Sequence, residues 1–196
     1  MTKIIFLDTE TTGLPREYYR SALEGPGNWP DLVSICWIIY EEGERVRKEV
    51  HMIRPNGFVI PSEASRIHGI TQEKAEAEGE PLRDILIKLK EDLLNVDWVI
   101  AHNMAFDRNV LFHSFLWRLD MNPTEFWPKR REFCSMNESK EELCLPSNRG
   151  YRGYKNPSLT ELYQAQFGNR FDGAHTADGD VEALVTVFWA RWGKKV

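Results

Sequence analysis

Four consecutive apolar residues, Ile4-Ile5-Phe6-Leu7, are followed at once by Asp8-Thr9-Glu10. A strand alternates its side chains, so an unbroken apolar run needs cover on both faces and belongs in the middle of a sheet. The same alternation sends Asp8 and Glu10, at i and i+2, to one side. The run is also far shorter than a secretory core or the ~18 apolar residues of a membrane span. A central strand ending in two same-side carboxylates is the tightest constraint in the chain.

The remaining segments supply the cover. Residues 15–30 hold three prolines, two glycines and no periodicity, which reads as a long loop. Two β-rich runs around Glu42-Gly43 predict a hairpin with strands near 31–41 and 44–54. After Pro61 the pattern is helical, and Leu82, Ile85, Leu86, Leu89 and Leu93 share one face at a 3.6-residue period. Residues 98–103 predict a second short buried strand, followed by a helix from Met104 to about Leu119. A further strand is expected at 131–136 and a Ser-capped, Gly-terminated helix at 158–168. The last helix should run from about Ala177 to Trp192, with Val181, Leu184, Val185 and Phe188 as its core stripe. This order points to an α/β domain on a mixed sheet. At 196 residues one domain spanning 1–196 is expected, with enough core to need no disulfide or structural metal. Cys36, Cys134 and Cys144 form no C-x-x-C pair and read as reduced thiols. The expectation is a soluble, intracellular protein of the cytoplasm or nucleus.

Acidic side chains mark the other junctions too. Asp107 falls in the first turn of the helix after the second buried strand, where the helix dipole favours its charge. Asn103 and His102 sit at the strand's C-terminal edge, where α/β sheets place ligands. His175 and Asp180 open the last helix. Five residues apart on a helix they would diverge by about 140°, so His175 belongs on the incoming loop and Asp180 on the first turn. Two carboxylates held together repel unless a proton or cation sits between them. The formal net charge of −5 argues against a simple basic nucleic-acid-coating protein.

Taken together, Asp8/Glu10, Asn103/Phe106/Asp107 and His175/Ala177/Asp180 resemble the DnaQ-like 3′–5′ exonucleases of the DEDD type, in the branch with a histidine. Ile67-His68-Gly69-Ile70-Thr71 resembles a further family segment. A tyrosine in place of Thr176 would have indicated the other branch. The resemblance implies a ribonuclease H-like fold, a five-stranded mixed sheet flanked by helices. It implies a metal-dependent enzyme that releases nucleoside 5′-monophosphates from a free 3′ end, DNA and single strands favoured. Asp8, Glu10, Asp107 and Asp180 form an all-oxygen set suited to two Mg²⁺ or Mn²⁺ ions, with Asp8 as the shared ligand and His175 as general base. Two such ions would take the formal −5 to −1 and make the site attractive to phosphate.

For the substrate, the resemblance places Thr11, Gly13 and Leu14 against the terminal nucleotide. Packing of Leu14 on the core is the other reading, and His68 reads either as a substrate contact or as a capping residue. Asn103 and Phe106 complete that set. Arg16-Glu17-Tyr18-Tyr19-Arg20 suits a single strand and a gating role. Residues 146–157 carry Arg149 and Arg152 but no acid, and read as a loop tracking the strand. An RNA-trimming exoribonuclease with the same site, or a non-catalytic polymerase-associated module, are the competing readings. Nucleic acid, and a polymerase or replication complex, are the partners implied.

Overall fold

The computed structural model describes residues 2–128, 131–147 and 153–193. Five strands, β1 (Lys3–Thr11), β2 (Leu32–Glu41), β3 (Glu44–Met52), β4 (Trp98–Ala101) and β5 (Glu132–Cys134), form one sheet in the order β3-β2-β1-β4-β5. The β1–β2 and β2–β3 pairs are antiparallel, whereas β1–β4 and β4–β5 are parallel. The mixed sheet is the one expected. At the turn between β2 and β3, Glu42 and Gly43 both take positive φ, the backbone twist that suits a two-residue hairpin.

Cover comes from α1 (Ser62–His68), α2 (Gln72–Glu78), α3 (Leu82–Leu94), α4 (Met104–His113), α5 (Ser135–Leu143), α6 (Leu159–Phe167) and α7 (Ala177–Arg191). The alternation along β1 divides the core in two. Ile5 and Leu7 pack with Ile85, Leu86 and Leu89 of α3 and Val110 and Leu111 of α4. Ile4 and Phe6 pack with Leu159 and Leu162 of α6 and Val181, Leu184 and Phe188 of α7. Phe6 meets Phe188 edge-on at 5.1 Å between ring centroids. Among the described residues no helix is long and apolar enough to cross a membrane.

Several boundaries differ from the sequence reading. β4 stops at Ala101, because His102 and Asn103 form the turn into α4. The helix expected to reach Leu119 widens into a π turn over Ser114–Arg118. The strand expected at 131–136 ends at Cys134, and Ser135 starts α5, a polar helix with no apolar stripe strong enough to announce it. Within the 15–30 loop, Ser21 caps a short 3-10 turn over Ala22–Glu24. Arg149 and Arg152 lie outside the described residues.

The arrangement has one functional consequence. β1 has an antiparallel neighbour on one side and a parallel one on the other, so the C-terminal ends of β1 and β4 lie side by side. Open α/β sheets bind ligands at such a switch point.

Candidate active site

Asp8 and Glu10 leave β1 on the face covered by α7, as their spacing requires. Thr176 N-caps α7, its Oγ1 accepting from the Gly179 amide at 3.1 Å. The first turn then carries Asp180 back over β1. One ligand oxygen from each of Asp8, Glu10 and Asp180 lies within 4.8 Å of the others.

His175 sits on the incoming loop at φ 68°, and its amide donates to Asp180 Oδ2 at 3.1 Å. A Cβ at Gly179 would stand 2.1 Å from the Gly173 carbonyl oxygen, so only glycine lets this loop lie on the first turn of α7. Asp8, Asn103, His175 and Asp180 all line one cleft of about 300 Å³. His175 and Asp180 thus address one cleft from loop and helix, the arrangement that their separation in sequence demands.

Asp107 joins the group from the opposite helical layer. It is 2% exposed, and its Oδ1 accepts from the Thr9 amide at 3.0 Å and the Thr9 hydroxyl at 2.8 Å. Thr9 points the other way from Asp8 and Glu10, so a single strand end orients carboxylates on both of its sides. Asp107 lies outside the three-carboxylate cluster but acts on it electrostatically.

The electrostatics record the crowding. Burial first, then the charges of Asp107, Asp180 and Glu10, push the Asp8 carboxyl well above the usual carboxylate range. Burial, Asp180 and Asp107 raise Glu10 to about 8. Burial raises Asp107 to about 7 against the opposing bonds from Thr9. It raises Asp180 to about 6 against the bond from the His175 amide. Such a cluster calls for protons or a cation, and its all-oxygen donors fit a hard divalent ion.

The remaining candidates divide. Leu14 is 81% exposed, which overturns core packing as its role. Thr11 donates from Oγ1 to the Gly13 carbonyl at 2.7 Å, shaping the turn that presents Leu14. His68 is buried, and its Nδ1 accepts from the Ile70 amide at 3.1 Å in the turn between α1 and α2. It lines a separate cleft of about 260 Å³ together with Glu10. Asn103, at φ 70°, accepts from the Tyr18 hydroxyl at 2.7 Å, and Phe106 packs edge-on to Trp29 at 5.9 Å. The 15–30 loop is thereby fastened to the turn before α4.

Sequence reasoning missed Thr9, whose only signal was its place between two carboxylates. His102, expected only at the ligand-binding strand edge, joins Ser135 Oγ at 2.9 Å to the Pro157 carbonyl at 3.0 Å. Burial lowers His102 to about 4, so the ring is a neutral brace for the cleft wall.

Comparison with known proteins gives concordant results. The sequence profile of the RNase T exonuclease family matches residues 5–188. A DNA polymerase III of the PolC type from Mycoplasmopsis pulmonis is 27% identical over 180 residues, covering 89% of this chain and 11% of the polymerase. Escherichia coli Exonuclease I bound to a dT13 oligonucleotide superposes with a TM-score of 0.75 at 19% identity, covering all of this chain and 42% of that one. A zinc-bound form of the E. coli enzyme with single-stranded DNA gives 0.74 at 20% identity, covering 99% and 42%. The chain therefore spans less than half the length of these proteins.

Proposed function

Because the chain belongs to the RNase T family of exonucleases, we propose that it hydrolyses nucleic acid from a free 3′ end, releasing nucleoside 5′-monophosphates, with single-stranded DNA as the favoured substrate. One observation carries the reading. Asp8, Glu10 and Asp180 converge within 4.8 Å at the end of the central strand, and His175 shares a cleft with two of them. The exonuclease I structures solved with single-stranded DNA support the choice of substrate. The PolC-type relative supports a replication setting.

Asp8, Glu10 and Asp180 would hold Mg²⁺ or Mn²⁺, Asp107 would complete the set for a pair of ions, and Asp8 would be shared. When bound, divalent ions make water a better nucleophile and stabilise the leaving 3′ oxygen. The protein's own residues do the rest. His175, exposed at the mouth of the cleft, accepts the proton of the attacking water at its ring nitrogen. Thr9 holds Asp107 at a fixed angle, and the Asp180–His175 bond keeps the base loop against α7. Thr11, Gly13 and Leu14 form the turn on which the terminal nucleotide rests, with exposed Leu14 able to wedge between bases. Asn103, Phe106 and Tyr18 form the opposite rim.

Digestion of 5′-labelled single- and double-stranded DNA and RNA, with Mg²⁺, Mn²⁺ or chelator, tests this directly. A metal-dependent ladder that shortens from the 3′ end, fastest on single-stranded DNA, is expected. No shortening of any substrate with either metal would reject the activity. A ladder on RNA alone would reassign the substrate.

A further inference from the structure

A cavity of about 480 Å³ on the α3–α4 side of the sheet shares no lining residue with either cleft at the carboxylates. Its walls are apolar at Phe58, Leu82 and Trp117 and cationic at Arg54, Arg83 and Arg118. Volume and lining are those of a small-molecule site, mostly apolar with a few charged groups.

The charges do not cancel. Arg118 is committed to Asp31, with Nε 2.7 Å from Oδ1, and Asp31 is the only acid lining the cavity. Among the described residues neither Arg54 nor Arg83 has an ion-pair or side-chain hydrogen-bond partner. By contrast, in the larger cleft of about 670 Å³ beside α4, Arg108 and Trp127 both bond to Glu132. Of these two cavities, the smaller one keeps the unpaired positive charge.

The cavity is also built on fixed backbone. The Arg54 amide donates to the Glu80 carbonyl at 2.8 Å, and the Glu80 amide donates to the Met52 carbonyl at 2.8 Å. A Cβ at Gly79 would stand 2.6 Å from the Arg54 nitrogen, so the close approach needs glycine. Leu82 and Arg83 open α3, and Asp84 in the same first turn already sets a carboxylate at that N-terminus, so exposed Arg54 and Arg83 are the groups left to meet an anion at the cavity rim. The π turn brings Ser114, Trp117 and Arg118 to the opposite wall, and such turns recur at functional sites. Trp117 is fixed by its Nε1 donating to the Ala22 carbonyl at 2.6 Å, yet it stays 40% exposed.

We propose that this cavity is a second nucleotide-binding site, taking a phosphate on Arg54 and Arg83 and a base against Trp117 and Phe58. Guanidinium groups recognise phosphate, and aromatic faces accept any base. The occupant is a nucleotide, either free product or a unit of the strand being degraded, and this rests on the proposed exonuclease activity. Asp31 connects the wall to the terminal-nucleotide turn. The Thr12 amide donates to its carbonyl at 3.0 Å, and its own amide donates to Thr12 Oγ1 at 3.0 Å.

Calorimetric titration of the chelator-treated protein with thymidine 5′-monophosphate, a dinucleotide and a long oligothymidylate tests the site without turnover. Arg54→Ala combined with Arg83→Ala should weaken binding about tenfold. Loss already visible with the monophosphate identifies free nucleotide as sufficient. Loss confined to the long strand, with the salt slope reduced by about 0.7 per missing phosphate contact, identifies the strand as the source. Lys3→Ala combined with Arg131→Ala removes the same charge at the opposite end of the strands and should leave binding unchanged. Equal binding by wild type and the Arg54/Arg83 variant, or an equal loss in the Lys3/Arg131 control, overturns the proposal. Failure of the exonuclease reading shows separately, as no shortening in the presence of metal.

Discussion

Neutralising Glu10 should stabilise the metal-free protein, and the effect should grow with pH. Burial with Asp180 and Asp107 raises its carboxyl from 4.5 to about 8. The folded protein thus keeps a proton that the unfolded chain has released, and stability must fall as pH rises through this interval. Between about pH 6.5 and 8.5 the shift corresponds to a loss of ~2 kcal/mol from Glu10 alone. Solvent at the cleft mouth reduces this to about 1 kcal/mol, or roughly 2–4 °C in Tm for a chain of this length.

The window lies above the buried histidines, which oppose the trend, and below Cys36, which would add to it. Buried His68 and His102 have lowered values, so they add stability as pH rises toward about 6.5 and little beyond it. Cys36, raised by burial to about 12, removes stability only where the unfolded thiol ionises, near pH 9. Thermal melts in chelator should show wild type losing Tm across the window and Glu10→Gln losing less, with the variant melting higher at pH 8.5. Mg²⁺ or Mn²⁺ should restore wild type more than the variant. A metal-free Glu10→Gln protein that melts no higher than wild type at pH 8.5 would refute the reasoning.

Asp8→Asn and Asp180→Asn should each abolish nearly all turnover of a labelled oligonucleotide while circular dichroism shows an intact fold. Residual activity near wild type in a clean preparation would remove that carboxylate from the site. His175→Ala should lower kcat by about 10²–10⁴ and leave calorimetric Mn²⁺ binding in place; loss of Mn²⁺ binding would make the residue part of the metal scaffold. Thr9→Val deletes the hydroxyl bond to Asp107 but keeps the amide bond, so a ten- to hundredfold loss of metal affinity is expected by analogy with other outer-sphere partners. Gly179→Ala should cost about 1–3 kcal/mol of stability and displace His175, lowering kcat more than it raises KM.

The sequence made the site's outline legible because that outline rests on periodicity. Two-residue spacing puts Asp8 and Glu10 together, and five-residue spacing forces His175 off the helix that carries Asp180. The apolar stripes of α3 and α7 were legible for the same reason. What stayed hidden depends on contacts between distant segments. Thr9 and Asp107 are 98 positions apart and Tyr18 and Asn103 are 85 apart, so no local pattern links them. The left-handed backbone at Asn103 and His175 was also invisible, since neither residue demands it. α5 escaped because a helix of mostly polar residues has no hydrophobic signature, and the arginine-rich cavity because its walls come from four separate stretches of chain.

The bond from the His175 amide to Asp180 Oδ2 changes how a substitution at 180 has to be interpreted. One carboxylate both faces the acidic cluster and moors the segment that presents the imidazole. Asparagine preserves an oxygen for the mooring while removing the charge; alanine cuts both. Any gap in turnover between Asp180→Asn and Asp180→Ala therefore combines the tether with the remaining ligand oxygen, whereas hydrogen exchange at the amide of residue 175, which should rise only in the alanine variant, reads the tether by itself.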